Sequence, residues 1–117
     1  MNPDPELDAA LRLTALADYS RACMVGAVAT LGIPELFQEP RSADSAAAEA
    51  SLDAVVLRRL LRVLLCRGLF EEPQRGVFVL GAAARYLLDA HEWSLRGAYS
   101  LMPHDIRAWT QAAYSLR

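Results

Sequence analysis

Positive charge is in short supply. Twelve basic residues face fourteen acidic ones, giving a formal net charge of −2. A domain that neutralises many phosphates carries a positive excess, so this balance weighs against nucleic acid as a partner. Cysteine is also scarce. Cys23 and Cys66 stand far apart in apolar helical runs, without CxxC spacing, and read as small buried hydrophobes in a reducing compartment. Long hydrophobic runs are missing. The longest, Ala22 to Ile33, is interrupted by Gly26, Thr30 and Gly32 and falls well short of the roughly 20 residues of a membrane span. The opening Met1-Asn2-Pro3-Asp4-Pro5-Glu6 is polar and acidic, with no basic region of the kind that starts a signal peptide. A cytoplasmic protein with no membrane contact is expected.

Chemical motifs are equally sparse. Glycine occurs singly, and no GxGxxG follows a strand. His91-Glu92 and His104-Asp105 are adjacent pairs, not ligands spaced along one helical face. No Ser or Cys sits in an activating motif. The expectation is therefore no catalytic residue, no metal ligand and no cofactor-binding residue in this chain.

What is present is helix, glycine, ribbon and helix again. The run Ala54 to Arg67 stops at Gly68, a natural residue just past a helix end. Strands are predicted near Leu69 to Glu72 and Gly76 to Leu80, joined by turn-forming Pro73 to Gly76. Upstream, Ser42 is placed to cap Ala43 to Ala50, and Asp53 to cap the helix whose apolar stripe is Leu57, Leu60, Leu61, Leu64 and Leu65. Two helices joined by so short a turn make a helix-turn-helix. Downstream, Gly81 to Asp89 reads as helix. Ser94 reads as the cap of a helix ending near Met102, and Pro103 as the first turn of a last helix running to Arg117. The expected fold is mostly α: one winged helix-turn-helix domain over residues 1–117, with a small β-hairpin wing and a long N-terminal helix.

That first helix is predicted from Glu6 to about Leu31. Its second half, Ala22 to Ala29, is apolar nearly all round, and a helix of that kind must be covered on every side. In a domain this small a second subunit is the expected cover, approached closely at Ala22, Gly26, Ala27 and Ala29. The dimer face is accordingly assigned to Leu11, Tyr19, Ala22, Cys23, Gly26 and Ala29.

A winged helix either reads DNA or mediates interaction and dimerisation. Arg58, Arg59, Arg62 and Arg67 lie on or just after the second helix of the helix-turn-helix, where DNA-binding relatives of this architecture enter the major groove. The same arginines also make a solvated face, partly paired with Glu49 and Asp53. At the wing tip Arg75 stands beside Glu71 and Glu72, whose charge would repel a phosphate backbone. Late in the chain, Met102, Asp105 and Trp109 follow helical spacing and could line one wall of an apolar pocket with a polar handle. Core packing accounts for Met102 and Trp109 equally well.

Three stretches carry a family resemblance. They are Ala29-Thr30-Leu31-Gly32-Ile33-Pro34-Glu35-Leu36-Phe37, Leu57-Arg58-Arg59-Leu60-Leu61-Arg62-Val63-Leu64 and Gly68-Leu69-Phe70-Glu71-Glu72. They resemble the N-terminal domain of dimeric, S-adenosylmethionine-dependent small-molecule O-methyltransferases of plant phenolic and bacterial aromatic polyketide metabolism. The family's Gly-x-Phe-x-Leu-Thr strand is matched by Gly76-Val77-Phe78-Val79-Leu80-Gly81, with Gly81 in place of Thr. Trp93-Ser94-Leu95-Arg96 is similar to the segment before the family's substrate helix, and Leu101-Met102-Pro103-His104-Asp105 to its substrate-contact stretch.

The resemblance implies a dimerisation and substrate-lid domain whose first helix interlocks with its twin. It also implies an acceptor wall of Met102, His104, Asp105 and Trp109 facing an aromatic small molecule. The family's cofactor site and base belong to a following Rossmann-like domain, which this sequence does not contain. S-adenosylmethionine is expected only with such a domain. The expected partner is a second copy or a methyltransferase-like chain. A DNA-binding regulator and a standalone interaction module are the alternatives.

Overall fold

A computed structural model describes residues 4–65 and 67–117. The expectations for Met1 to Pro3 and for Cys66 lie outside the described residues. The helices are α1 (Pro5–Ala15), α2 (Tyr19–Thr30), α3 (Ile33–Leu36), α4 (Ala43–Ala50), α5 (Ala54–Leu65), α6 (Arg96–Trp109) and α7 (Ala112–Ser115). The strands are β1 (Arg41–Ser42), β2 (Phe70–Gln74) and β3 (Val77–Leu80), in the antiparallel order β1-β3-β2. A 3-10 turn spans Ala83–Leu87. The helix-turn-helix is α4 and α5, and the wing is β2 and β3.

The centre follows from the sequence chemistry. Ser42 Oγ accepts the Ser45 N–H at 3.1 Å and Asp53 Oδ1 accepts the Val56 N–H at 3.0 Å, so each helix starts at its expected cap. On α5, Leu57, Leu61 and Leu64 are buried, and Leu60 and Leu65 pack against them. Gly68 has φ +69°. Its N–H bonds Leu65 O, while the next N–H, of Leu69, bonds Leu64 O, the double closure of a Schellman motif. Phe37, Phe70 and Phe78 are fully buried. Phe37 meets Phe70 and Phe78 edge-on, with ring centroids 6.0 and 6.4 Å apart, the geometry aromatic quadrupoles favour. Among the described residues no polar or charged residue is buried.

Several boundaries differ from the sequence reading. The predicted helix Glu6 to Leu31 is two helices. Leu16, Ala17 and Asp18 turn back through N–H bonds to Leu13, Thr14 and Ala15. Asp18 Oδ2 is held at 3.0 Å by both Arg21 and Arg67, which anchors this corner to the turn after α5. A short strand not read in the sequence, β1, precedes α4 and pairs with β3, Arg41 opposite Phe78. The helix predicted for Gly81 to Asp89 is the shorter 3-10 turn. Pro73 lies within β2, and the pairing register with β3 shifts between Glu71 and Gln74, since proline cannot donate to the ladder. α6 runs unbroken through Pro103 and α7 follows a turn, where two helices parted at Pro103 were expected. Cys23 is exposed, against the expectation of a buried thiol.

The cover of α2 is the largest correction. Val25, Gly26, Val28 and Ala29 are buried within this chain: Val25, Val28 and Ala29 join the central core, and α6 lies across Gly26. A Cβ on Gly26 would sit 3.1 Å from the Tyr99 carbonyl oxygen and 3.5 Å from Pro103 Cδ. The small residues admit a second helix, as read, but that helix is the chain's own. By contrast α1 has no buried residue.

Candidate functional site

α6 carries the four residues expected to form an acceptor wall. Its first half is seated on α2, with Tyr99 packed against the core. Pro103 offers no N–H to the Tyr99 carbonyl four residues back, and that oxygen turns to the glycine on α2. Beyond Pro103 the helix overhangs the domain. Met102 is half-buried, whereas His104, Asp105 and Trp109 are exposed, Trp109 at 76%. At 3.6 residues per turn, Met102, Asp105 and Trp109 share one stripe, and His104 is rotated about 200° from Met102. The helix therefore gathers three of the four expected residues and turns His104 away. Trp109 lines a shallow cavity of about 340 Å³ with Ala108, Ala112, Ser115 and Leu116. At 76% exposure Trp109 is not a core residue of this chain.

A second cavity, also about 340 Å³, opens between α2, the 3-10 turn and the start of α6. Val25, Leu69, Leu87, Tyr86 and Tyr99 form its walls, and Arg67 stands at its edge. The sequence reading did not find it, because its walls come from four separated stretches.

The expected dimer residues divide. Leu11, Tyr19 and Cys23 are exposed, Ala22 is half-buried, and Gly26 and Ala29 are enclosed by their own chain. α1 also presents Leu7 and Leu13, and Leu16 lies in the turn after it at 83% exposure.

Three of the four arginines read on this face meet acids, and Arg59 is exposed. Arg58 meets Asp44 at 3.6 Å, Arg62 meets Glu72 at 3.3 Å, and Arg67 meets Asp18 at 3.0 Å. The expected partners act elsewhere: Glu49 pairs with Arg41 and Asp53 caps α5. Glu72 Oε2 also accepts the Gly76 N–H at 2.8 Å across the wing turn. That backbone bond, followed by the Arg62 side chain, holds the Glu72 carboxyl below its ordinary value.

Among the described residues no three His, Cys, Asp or Glu side chains gather as metal ligands, and no helix is long and apolar enough to cross a membrane. The sheet is short and antiparallel throughout. It offers no parallel strand leading through a glycine turn into a helix, the arrangement that holds a nucleotide-type cofactor. The described residues do not fit S-adenosylmethionine.

A helix-turn-helix followed by a two-stranded wing is a winged-helix architecture. The family model of the O-methyltransferase dimerisation domain matches residues 14–90, and the chain belongs to that family. The mitomycin biosynthesis 6-O-methyltransferase of Streptomyces lavendulae is 35% identical over 91 residues, covering 74% of this chain and 26% of that protein. The structure of the mitomycin 7-O-methyltransferase MmcR is 30% identical with a TM-score of 0.81, covering 97% of this chain and 36% of that one. The O-methyltransferase NcsB1 of neocarzinostatin biosynthesis, solved with S-adenosyl-L-homocysteine, is 30% identical with a TM-score of 0.78 and covers 90% of this chain and 36% of that one. The chain thus spans about a quarter of the curated relative and about a third of these structures. α6 lies beyond the span the family model matches.

Proposed function

We propose that this chain forms a homodimer and presents α6 as one wall of the acceptor pocket of an S-adenosylmethionine-dependent O-methyltransferase acting on an aromatic small molecule. The observation that supports dimerisation is α1, an amphipathic helix with no residue buried by its own chain. Leu7 and Leu11 share its stripe. Burial is worth about 1.5–3 kcal/mol per leucine side chain. Contributed by both copies, together with Leu13 and Leu16, it is of the order of the association cost of about 4–15 kcal/mol. The acceptor class is supported by the mitomycin and neocarzinostatin biosynthesis named for the relatives and by the Met102–Asp105–Trp109 stripe. A thioether and an indole give adaptable apolar area, and a carboxylate can orient a hydroxyl. Closing such a wall over the acceptor would exclude water from a transfer carried out in another domain.

The acceptor role is tested by joining the chain to a catalytic domain of this family and comparing Trp109→Ala and Met102→Ala with the parent. The acceptor's KM should rise while S-adenosylmethionine affinity holds. Because Trp109 is exposed, Trp109→Ala should leave the melting temperature nearly unmoved. An unchanged KM in both variants removes these residues from the wall.

A further inference from the structure

α6 starts from the Leu95 N–H bond to the Tyr86 carbonyl at 2.7 Å, and two further contacts seat it on α2, one of them a single side chain. Arg96, the first residue of α6, reaches back across the molecule to two other elements. Its Nε donates to the Ala29 carbonyl at the C-terminal end of α2 at 3.0 Å, and its Nη1 donates to Glu35 Oε1 on α3 at 2.6 Å. The space it crosses is cleared by Gly32, where a Cβ would lie 3.0 Å from Arg96 Nη2. Gly32 itself has φ +66°, so the same glycine supplies the left-handed turn and the passage. The cation sits where two fields favour it: the carbonyl end of a helix and a carboxylate. The second oxygen of that carboxylate, Glu35 Oε2, is buried with no hydrogen-bond partner. Arg96 is therefore the side chain that compensates the Glu35 charge, and losing it leaves a poorly solvated carboxylate.

The other holding place is Gly26 against Tyr99 and Pro103. Arg96 lies seven residues before Pro103, about 10 Å along the axis, and Trp109 lies six residues after it, about 9 Å. The two arms are nearly equal, so a shift at Arg96 reappears at Trp109 at similar size and opposite sense. We infer that Arg96 is the positioning residue for the overhanging stripe: it fixes the angle of α6 on α2 and hence the approach of Met102, Asp105 and Trp109 to the acceptor. The inference rests on the acceptor-wall reading for its functional consequence. Lysine cannot replace the residue, because one ammonium cannot serve both oxygens in the planar fork geometry that the guanidinium provides.

The test uses the chain itself, comparing wild type with Arg96→Ala, Arg96→Lys and Glu35→Gln by residue-resolved amide hydrogen exchange. The Trp109 indole resonance is followed in the same samples during titration with 2-naphthoate. Arg96→Ala should speed exchange across Tyr99 to Trp109 by roughly tenfold while Phe70 and Leu80 in the sheet keep their rates, the mark of a local rather than global opening. The naphthoate response should weaken in parallel. Arg96→Lys should fall between the two. Glu35→Gln, which keeps the bond to Ala29, should loosen α6 less than Arg96→Ala. Millimolar guanidinium ion should slow α6 exchange in Arg96→Ala and leave wild type unchanged. Equal acceleration in every element, or no acceleration in α6, overturns the inference. A wild-type indole that ignores naphthoate while Arg96→Ala still loosens α6 overturns the acceptor-wall reading and upholds Arg96 as the seat of the helix.

Discussion

α1 and α2 adjoin in the chain and read as the two halves of one helix, yet the structure treats them oppositely. α2 buries four residues within its own chain, and α1 buries none. The difference lies in what packs against each. Gly26 lets the α6 backbone approach closely, whereas α1 turns away at Leu16 to Asp18 and meets no other element that buries it. Apolar periodicity thus announces that a helix wants cover without saying whose. Within Ala22 to Ala29 the face of Val25, Gly26, Val28 and Ala29 is satisfied internally while Cys23 stays exposed, and the more modestly apolar α1 is left with open leucines.

The largest effect should come from the centre that both helices depend on. Phe78→Ala removes a fully buried ring in edge contact with Phe37. It should cost about 3–5 kcal/mol, read as a large fall in the urea midpoint with α2 and the sheet melting together. If α2 survives while the sheet melts, the two are not one cooperative unit.

Paired substitutions on the two helices break the comparison directly. Gly26→Glu places a charge between α2 and α6, against the Tyr99 carbonyl oxygen and the Pro103 ring, and should destabilise the fold by several kcal/mol. Leu11→Glu, on an open stripe, should leave the fold of the chain intact and shift sedimentation from dimer to monomer. Dissociation by Gly26→Glu with an unchanged melting temperature would reverse the assignment of the two helices.

A smaller, pH-dependent effect separates the wing from the arms. The Gly76 N–H and then Arg62 hold the Glu72 carboxyl below its ordinary value of 4.5. The folded state therefore favours the charged form. The stability this supplies is complete above about pH 4.5 and is lost as the pH falls through the lowered folded value. Melting temperature measured between pH 7 and pH 3 should fall less steeply in Glu72→Gln than in wild type. Parallel curves would show that the wing contact contributes nothing to acid sensitivity.

The smallest expected effect is a gain. Ser51, which ends α4, is in the left-handed region at φ 58°, where a side chain is strained and glycine is not. Ser51→Gly should raise stability by roughly 0.5–1 kcal/mol and leave the dimer untouched. A loss would mean that the greater freedom of glycine in the unfolded chain outweighs the relief.

What was legible in the sequence was local. Ser42, Asp53 and Gly68 mark helix ends through bonds to residues a few positions away, and the α5 leucines declare their face by spacing alone. The stripe of Met102, Asp105 and Trp109 could be read in the same way. What stayed hidden was set by distant partners. Leu16-Ala17-Asp18 contains no glycine or proline, and its turn is held from Arg67, far along the chain. Pro103 looks like a helix start, but the break is avoided because Gly26 accommodates the carbonyl that proline frees. Arg41-Ser42 has no strand signature, and its extended form comes from pairing with β3. Arg96 shows nothing in its own neighbourhood, since both its acceptors lie more than sixty residues earlier.

β1 has a consequence for the order in which the chain folds. Arg41 and Ser42 pair with Phe78 and Val77, so these two residues close a loop that contains α4, α5 and β2. Closing a loop costs entropy that grows only slowly with its length, but two residues of ladder repay little of it. β1 therefore cannot lead. The hairpin of β2 and β3 forms from near neighbours, the helical pair condenses on it, and β1 joins last as a clasp around structure already in place. Refolding should register this as an Arg41 and Ser42 contact with φ-values near zero, while substitutions inside the hairpin slow folding itself.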